Sequence, residues 1–197
     1  MTVAGHIRDG TQAGETPYIY IIAVNPSTDL FPTPAGPEPV VSAPWGNGFV
    51  AGNATHFIRY DLSQGSPYTV YQFVTPDLIS YGPTGVPISS STTTTTLKFE
   101  IDLSQITPTG IDPANLQSVQ VNFLTMDKAP QGSYSGTKYW DALGDGHDVN
   151  SVNDYIRIPL TSSKVYDNAY FNGLEPLGDT PDPNLDIIEF SVEVRKP

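Results

Sequence analysis

The residues with the most pointed chemistry lie between Trp140 and Asp154, in the run Trp-Asp-Ala-Leu-Gly-Asp-Gly-His-Asp-Val-Asn-Ser-Val-Asn-Asp. A hard Ca²⁺ ion takes carboxylate and amide oxygens, roughly six to eight at once, and glycines let backbone carbonyls turn inward to complete the shell. Asp141, Asp145, Asp148, Asn150 and Asp154 are therefore the candidate metal ligands. The spacing departs from an EF-hand. Asp141, Asp145 and Gly146 fall on its first, fifth and sixth positions, but Leu143 stands at the third and Val152 where a bidentate Glu belongs. A second acidic loop, Gly178 to Asp186, precedes the last strand and could converge on the same end of the fold. Asp, Asn, Gly and Pro are also turn formers, so ordinary solvent-facing loops are the alternative reading.

Aromatic residues supply the second candidate. Trp45 stands in Pro44-Trp45-Gly46-Asn47-Gly48-Phe49, and Trp140 adjoins the acidic run together with Tyr134 and Tyr139. Flat rings beside amide or carboxylate groups suit a sugar, apolar on its faces and hydroxylated at its edges. Trp45, Asn47, Tyr139 and Trp140 are the candidate ligand contacts. The alternative for each tryptophan is a place in the core, with Trp45 plugging one end of the fold.

Other chemistry finds less support. Glu100 and Asp102 share a strand face, as do Glu189 and Glu193, but both pairs alternate with core residues and read as solvated rather than as glycosidase pairs. No G-x-S-x-G elbow, P-loop, H-E-x-x-H or dinucleotide fingerprint occurs. There is no cysteine for a thiol nucleophile, and His6, His56 and His147 are too isolated for zinc. The expectation is a non-enzymatic protein.

The elements that must hold these loops are strands, because alternation with period two recurs along the chain. Leu97, Phe99, Ile101 and Leu103 point one way in the Thr96–Leu103 segment. Ile156, Ile158 and Leu160 do so in Asp154–Leu160, where Pro159 marks an edge strand. Ile188, Phe190, Val192 and Val194 close the chain in the same way. Further strands are expected over 18–24, 55–62, 68–74 and 118–126, with short edges at 3–8 and 39–42. The near-continuous apolar run in the first of these suggests cover on both faces. Thr92–Thr96 reads as lead-in to the strand that follows. Helix signals are confined to single turns, at Asp112-Pro113 and within 76–81 and 135–143. Pro26–Gly48 is the long surface loop. About eight or nine strands predict an all-β, two-sheet antiparallel sandwich, immunoglobulin-like or jelly-roll-like, forming one domain over residues 1–197.

Composition narrows the setting. Among 197 residues, 21 acids outweigh 9 bases for a net charge of −12, and the bases are scattered, which excludes the footprint of a nucleic-acid binder. The longest apolar run, Ile19–Val24, is far short of the roughly 20 residues of a membrane helix. Low Lys and Glu, abundant Tyr, Thr and Ser, and the lack of Cys favour an exported protein of the cell surface, periplasm or medium, any leader having preceded Met1. Asn53-Ala54-Thr55 fits a glycosylation acceptor.

The Tyr-Ile-Tyr-Ile-Ile-Ala-Val strand, the Pro44–Gly48 loop, the Thr55–Asp61 strand and the closing Leu185–Val194 segment together resemble secreted bacterial or lipoprotein domains of the DOMON and family 9 carbohydrate-binding type. The resemblance covers most of the chain as strand order and texture. It implies a β-sandwich that binds sugars, sometimes with structural calcium, or, in a cytochrome branch, haem held by a Met and a His. Met126 and His147 occur in that order, but the short interval and the place of Met126 near a strand end speak against haem. The expected function is carbohydrate or other surface-ligand binding with calcium support. The alternatives are a surface assembly protein pairing through its Thr-rich and C-terminal edge strands, and a glycan-active hydrolase.

Overall fold

A computed structural model describes residues 1–33, 35–40, 47–63, 66–131, 136–144 and 155–196. Two long strands form the frame. β2 (Ile19–Ser27) and β10 (Ser118–Met126) pair antiparallel over their full length, from Ser118↔Ser27 to Met126↔Ile19. β5 (His56–Tyr60), β6 (Tyr68–Phe73) and β7 (Tyr81–Gly85) extend this sheet beyond β2. On the far side of β10, β11 (Trp140–Ala142) pairs along Leu124–Met126 and β12 (Ile156–Pro159) along Ser118–Val121. β12 is thus an edge, where its proline costs no ladder bond.

The facing layer consists of shorter antiparallel pairs. β1 (Thr2–Val3) pairs with β14 (Ile187–Glu189), β13 (Lys164–Asp167) with β15 (Ser191–Val194), and β8 (Ser89–Thr92) with β9 (Leu97–Glu100). A Thr2↔Thr96 bridge joins the first and last of these pairs. β14 and β15 are parted at Phe190, whose buried ring meets Phe123 of β10 at 5.4 Å. The main core lies between the layers, on Tyr20, Ile22 and Val24 of β2, Ile58 and Tyr60 of β5, Val121 and Phe123 of β10, and Ile187.

The opposite face of the long strands is covered as well. β3 (Pro37–Pro39) and β4 (Val50–Gly52) form a pair there, and Ile21, Ala23, Phe57, Leu124, Met126 and Trp140 build a second cluster with Phe49 and Val50. This double cover is why the alternation in β2 dissolves into a continuous apolar run, whereas β10 buries Ser118, Gln120, Asn122 and Thr125 on hydrogen bonds to Asp29 O, the Asn25 side chain, Pro37 O and Leu185 O.

Several elements differ from the sequence expectation. The segment predicted as a helical turn over 135–143 contains a strand, β11, too short at three residues to show a period. The 76–81 segment is a turn in which buried Leu78 takes a positive φ of 59°. Thr93 and Thr96 close the β8–β9 connection by a 3.0 Å side-chain bond, so the threonine run is a hairpin end rather than strand lead-in. The expected edge at 3–8 is reduced to Thr2–Val3; of the edge expected at 39–42, Pro39 ends β3 (Pro37–Pro39), and 41–42 lie outside the described residues. Of the single helical turns, Pro113–Asn115 stands where Asp112-Pro113 places it. The other, Leu103–Gln105, is started by a capping box between Asp102 and Gln105, which ends β9 early.

His56 gives this frame a pH signature. It is buried on β5, with Nδ1 2.9 Å from the Thr55 hydroxyl, and burial lowers its pKa from 6.5 to about 4. The unfolded chain therefore binds a proton that the folded chain refuses between those values. The contribution of His56 to stability is complete above pH 6.5 and is lost as pH drops towards 4, by up to about 3 kcal/mol. Urea unfolding of His56→Gln across this range is expected to show a correspondingly flatter profile than the parent.

Candidate metal centre

β11 aims its middle residue into the seam between the layers. Trp140 and Ala142 face the second cluster, so Asp141 faces the other way, opposite Thr125 of β10. Asp141 is 0% exposed. Its Oδ1 accepts from Ala142 N at 2.9 Å and its Oδ2 from Ile187 N of β14 at 2.6 Å. One carboxylate thereby ties the edge of the first sheet to the facing layer. Beside it, the Thr125 hydroxyl donates to Leu185 O at 2.6 Å across the same seam.

Glu175 reaches this point from the turn after β13. Asn168 fixes its backbone from both sides, accepting from Glu175 N at 2.9 Å and donating to Glu175 O at 3.2 Å. The carboxylate is only 4% exposed. Gly144 N donates to its Oε1 at 3.0 Å, while Oε2 is buried without a hydrogen-bond partner. Two residues in left-handed backbone shape the surroundings, Gly144 at φ 101° and Gly178 at φ 84°. Both conformations favour glycine. Gly178 N lies 3.2 and 3.0 Å from the two oxygens of Asp186, which is buried and hydrogen-bonded to Asp179. Asp141, Glu175 and Asp179 each bring one oxygen to a site where these atoms all lie within 4.8 Å of one another.

The electrostatics of the site are those of crowded anions. Burial pushes Glu175 up to about 10, and the charges of Asp141, Asp179 and Asp186 push in the same direction. Burial, then Asp179, holds Asp141 well above the usual carboxylate range, and Asp186 rises to about 6 for the same reasons. Hydrogen bonds to a charged acceptor contribute about 1.5–3 kcal/mol each. Against this stand several kcal/mol of desolvation per ion and about 4 kcal/mol of repulsion for two like charges at ~4 Å in a medium of dielectric near 20.

A proton or a cation can answer that charge. Asp141 already accepts amide protons on both oxygens, the pattern of an ionised carboxylate. Glu175 Oε2 receives no hydrogen bond, and a proton there could join Glu175 to one neighbouring carboxylate at most. A cation joins all three at once. Oxygens that share one Ca²⁺ at ~2.4 Å can lie up to about 4.8 Å apart, which the three carboxylates satisfy.

The sequence-derived residues separate in the structure. Asp141 is in the site, and the 178–186 loop converges on it through Asp179 and Asp186. Asp145, Asp148, Asn150 and Asp154, with His147, lie outside the described residues, as does Trp45. Trp140 is 7% exposed and its ring packs in the second cluster, where it offers no platform. Asn47 is structural. Its Oδ1 accepts from Phe49 N and Val50 N, and its Nδ2 donates to Leu78 O, so its side chain is spent shaping the turn. Tyr139 is 51% exposed and alone among these aromatics is open to a ligand among the described residues. Met126 is sealed in the second cluster. Glu100, Asp102, Glu189 and Glu193 are exposed, as strand alternation indicated.

Glu175 was not legible as a site residue. It is one of six glutamates and stands between Leu174 and Pro176, in none of the acidic runs. The only signal was a charge set among apolar neighbours, which acquires meaning once Asn168 and Gly144 are known to hold it. Asn168→Ala removes both bonds to the Glu175 backbone and is expected to cost about 2 kcal/mol in urea unfolding; unchanged stability would show that Asn168 does not position Glu175. Comparison with known protein families, with curated proteins and with solved structures finds no match for this chain.

Proposed function

We propose that this protein is a non-catalytic, ligand-binding β-sandwich of the cell surface or extracellular space, held in its working form by one Ca²⁺ ion at Asp141, Glu175 and Asp179. The observation that carries this reading is the convergence of one oxygen from each of three carboxylates within 4.8 Å, two of the residues buried, with Glu175 Oε2 left unpartnered. The donor set contains only oxygen, which suits a hard cation and disfavours zinc. Mg²⁺ demands near-octahedral geometry and gives up its waters reluctantly, which fits poorly with ligands drawn into a desolvated seam. Extracellular modules bind Ca²⁺ with dissociation constants of roughly 10⁻⁴–10⁻³ M. Calorimetric titration of EDTA-treated protein is expected to give one Ca²⁺ per chain and a rise in melting temperature that Mg²⁺ reproduces weakly. An unchanged melting temperature together with no binding heat would sink the reading.

For the ligand we propose carbohydrate. The support is a polar cleft of about 190 Å³ lined by His6, Asp9, Thr11, Gln12, Thr93 and Thr94. His6, Asp9, Thr11 and Thr93 are tied to Glu15, to one another and to Thr96 N, so the Gln12 amide and the Thr94 hydroxyl complete a polar lining suited to a polyol, and the acidic chain disfavours anionic ligands. Gln12→Ala, at an exposed loop position, is expected to weaken retention on an immobilised neutral polysaccharide severalfold without altering the melting temperature; equal retention would remove the cleft from the ligand site.

A further inference from the structure

We infer that the ion regulates the fold locally: Ca²⁺ is the condition on which the segment from Asn168 to Phe190 docks against the first sheet. The inference rests on the Ca²⁺ reading and adds what binding does. The ligand oxygens come from separate stretches of chain, β11 for Asp141 and the two turns before β14 for Glu175 and Asp179. Three polar ties across the seam end close to them. Ile187 N meets Asp141, Gly144 N meets Glu175, and Thr125 Oγ1 meets Leu185 O.

Two forces of like size oppose each other in this segment. Leu185, Ile187 and Phe190 are buried to at least 99% and draw the segment onto the core. The same movement carries Glu175, Asp179 and Asp186 towards Asp141, out of water and into one another's field. With the ion present, attraction replaces repulsion at that point and both forces act inward. Without it, the charged groups push against the apolar anchors, and the segment opens more readily than the frame. β2 and β10 meet this segment through the Tyr20 hydroxyl to Asn184 O, the Thr125 hydroxyl to Leu185 O and Phe123 against Phe190, but with β5 they pair strand to strand along their length, and that pairing does not wait on the segment.

Amide hydrogen exchange on the full chain, in CaCl₂ and in EDTA, with calorimetry on the same sample, tests this. In EDTA, protection at Gly144, Gly178 and Ile187 is expected to fall well below that at Ile22 and Ile58, and at free Ca²⁺ one hundred times the measured Kd to rise about 100-fold. Binding heat with unchanged protection at the three seam amides would overturn the coupling and leave the metal site standing. Seam amides as well protected in EDTA as Ile22 and Ile58 would also overturn it, because the segment would then open only with the whole fold. Absence of binding heat would instead remove the Ca²⁺ reading and this inference with it. Glu175→Gln supplies a test of sign: in EDTA its seam amides are expected to be better protected than those of the parent, and Ca²⁺ should then change them little. Asp179→Asn is the parallel variant if the first fails to fold. Protection in EDTA no better than the parent's, in the variant that folds, would overturn the proposed repulsion.

Discussion

Burying a carboxylate without a countercharge costs several kcal/mol, and this fold buries Asp141 and Glu175 at the seam where its two layers meet. Much of the local architecture serves that arrangement. Asp141 holds β14 through Ile187 N, Gly144 and Gly178 adopt left-handed backbone where amides face the acids, and Asn168 clamps Glu175. Such detail would be wasted on a loop that merely turns in solvent. It is coherent if the acids have to meet at one point and something positive joins them there.

The rest of the molecule makes such a seam tolerable. β2 and β10 are sandwiched between two apolar clusters, so the frame does not depend on the acidic corner. Burial of a Leu, Ile or Phe side chain contributes about 1.5–3 kcal/mol, and Leu185, Ile187 and Phe190 anchor the last third of the chain to that frame. Their combined contribution is of the same order as the cost of crowding the acids. The fold is therefore robust in its centre and finely balanced at one end, and the balance is set by charge.

Legibility in the sequence follows the same division. Where side chains alternate between core and solvent, as in β9, β12 and β15, the period was plain, and the two-layer antiparallel architecture followed; in β14 it slips, with Ile187 rather than the expected Ile188 in the core. Where no side chain is buried, as in Ser89–Thr92, nothing marks a strand, because its order comes from pairing with Leu97–Glu100. β11 failed for length. Its three residues are fixed by the register Leu124↔Ala142 and Met126↔Trp140, a tertiary fact that no local window contains. Trp140 shows the limit for sites: its type suggested a sugar platform, but register turns it into the second cluster. The approach of the Gly178–Asp186 loop to Asp141 was legible because each adjoins a strand end; Glu175, which adjoins none, was not.

A contiguous calcium loop and a site assembled from distant segments differ in what binding reports. Ligands within a dozen residues can gather around an ion whatever the rest of the chain is doing, and the free energy of binding stays in the loop. Here Asp141 is separated from Glu175 and Asp179 by more than thirty residues, so the three carboxylates meet only when β11, the turn after β13 and the approach to β14 are all in place. The free energy of binding an ion there would appear as stability of those contacts, since an ion that binds the closed form and not the open one shifts the balance between them. The departures from the EF-hand pattern, Leu143 at a ligand position above all, point the same way. Leu143 is wholly buried in the main core, so the position that a local calcium loop would give to an oxygen is used here for packing, and the carboxylates nearest Asp141 come from across the seam.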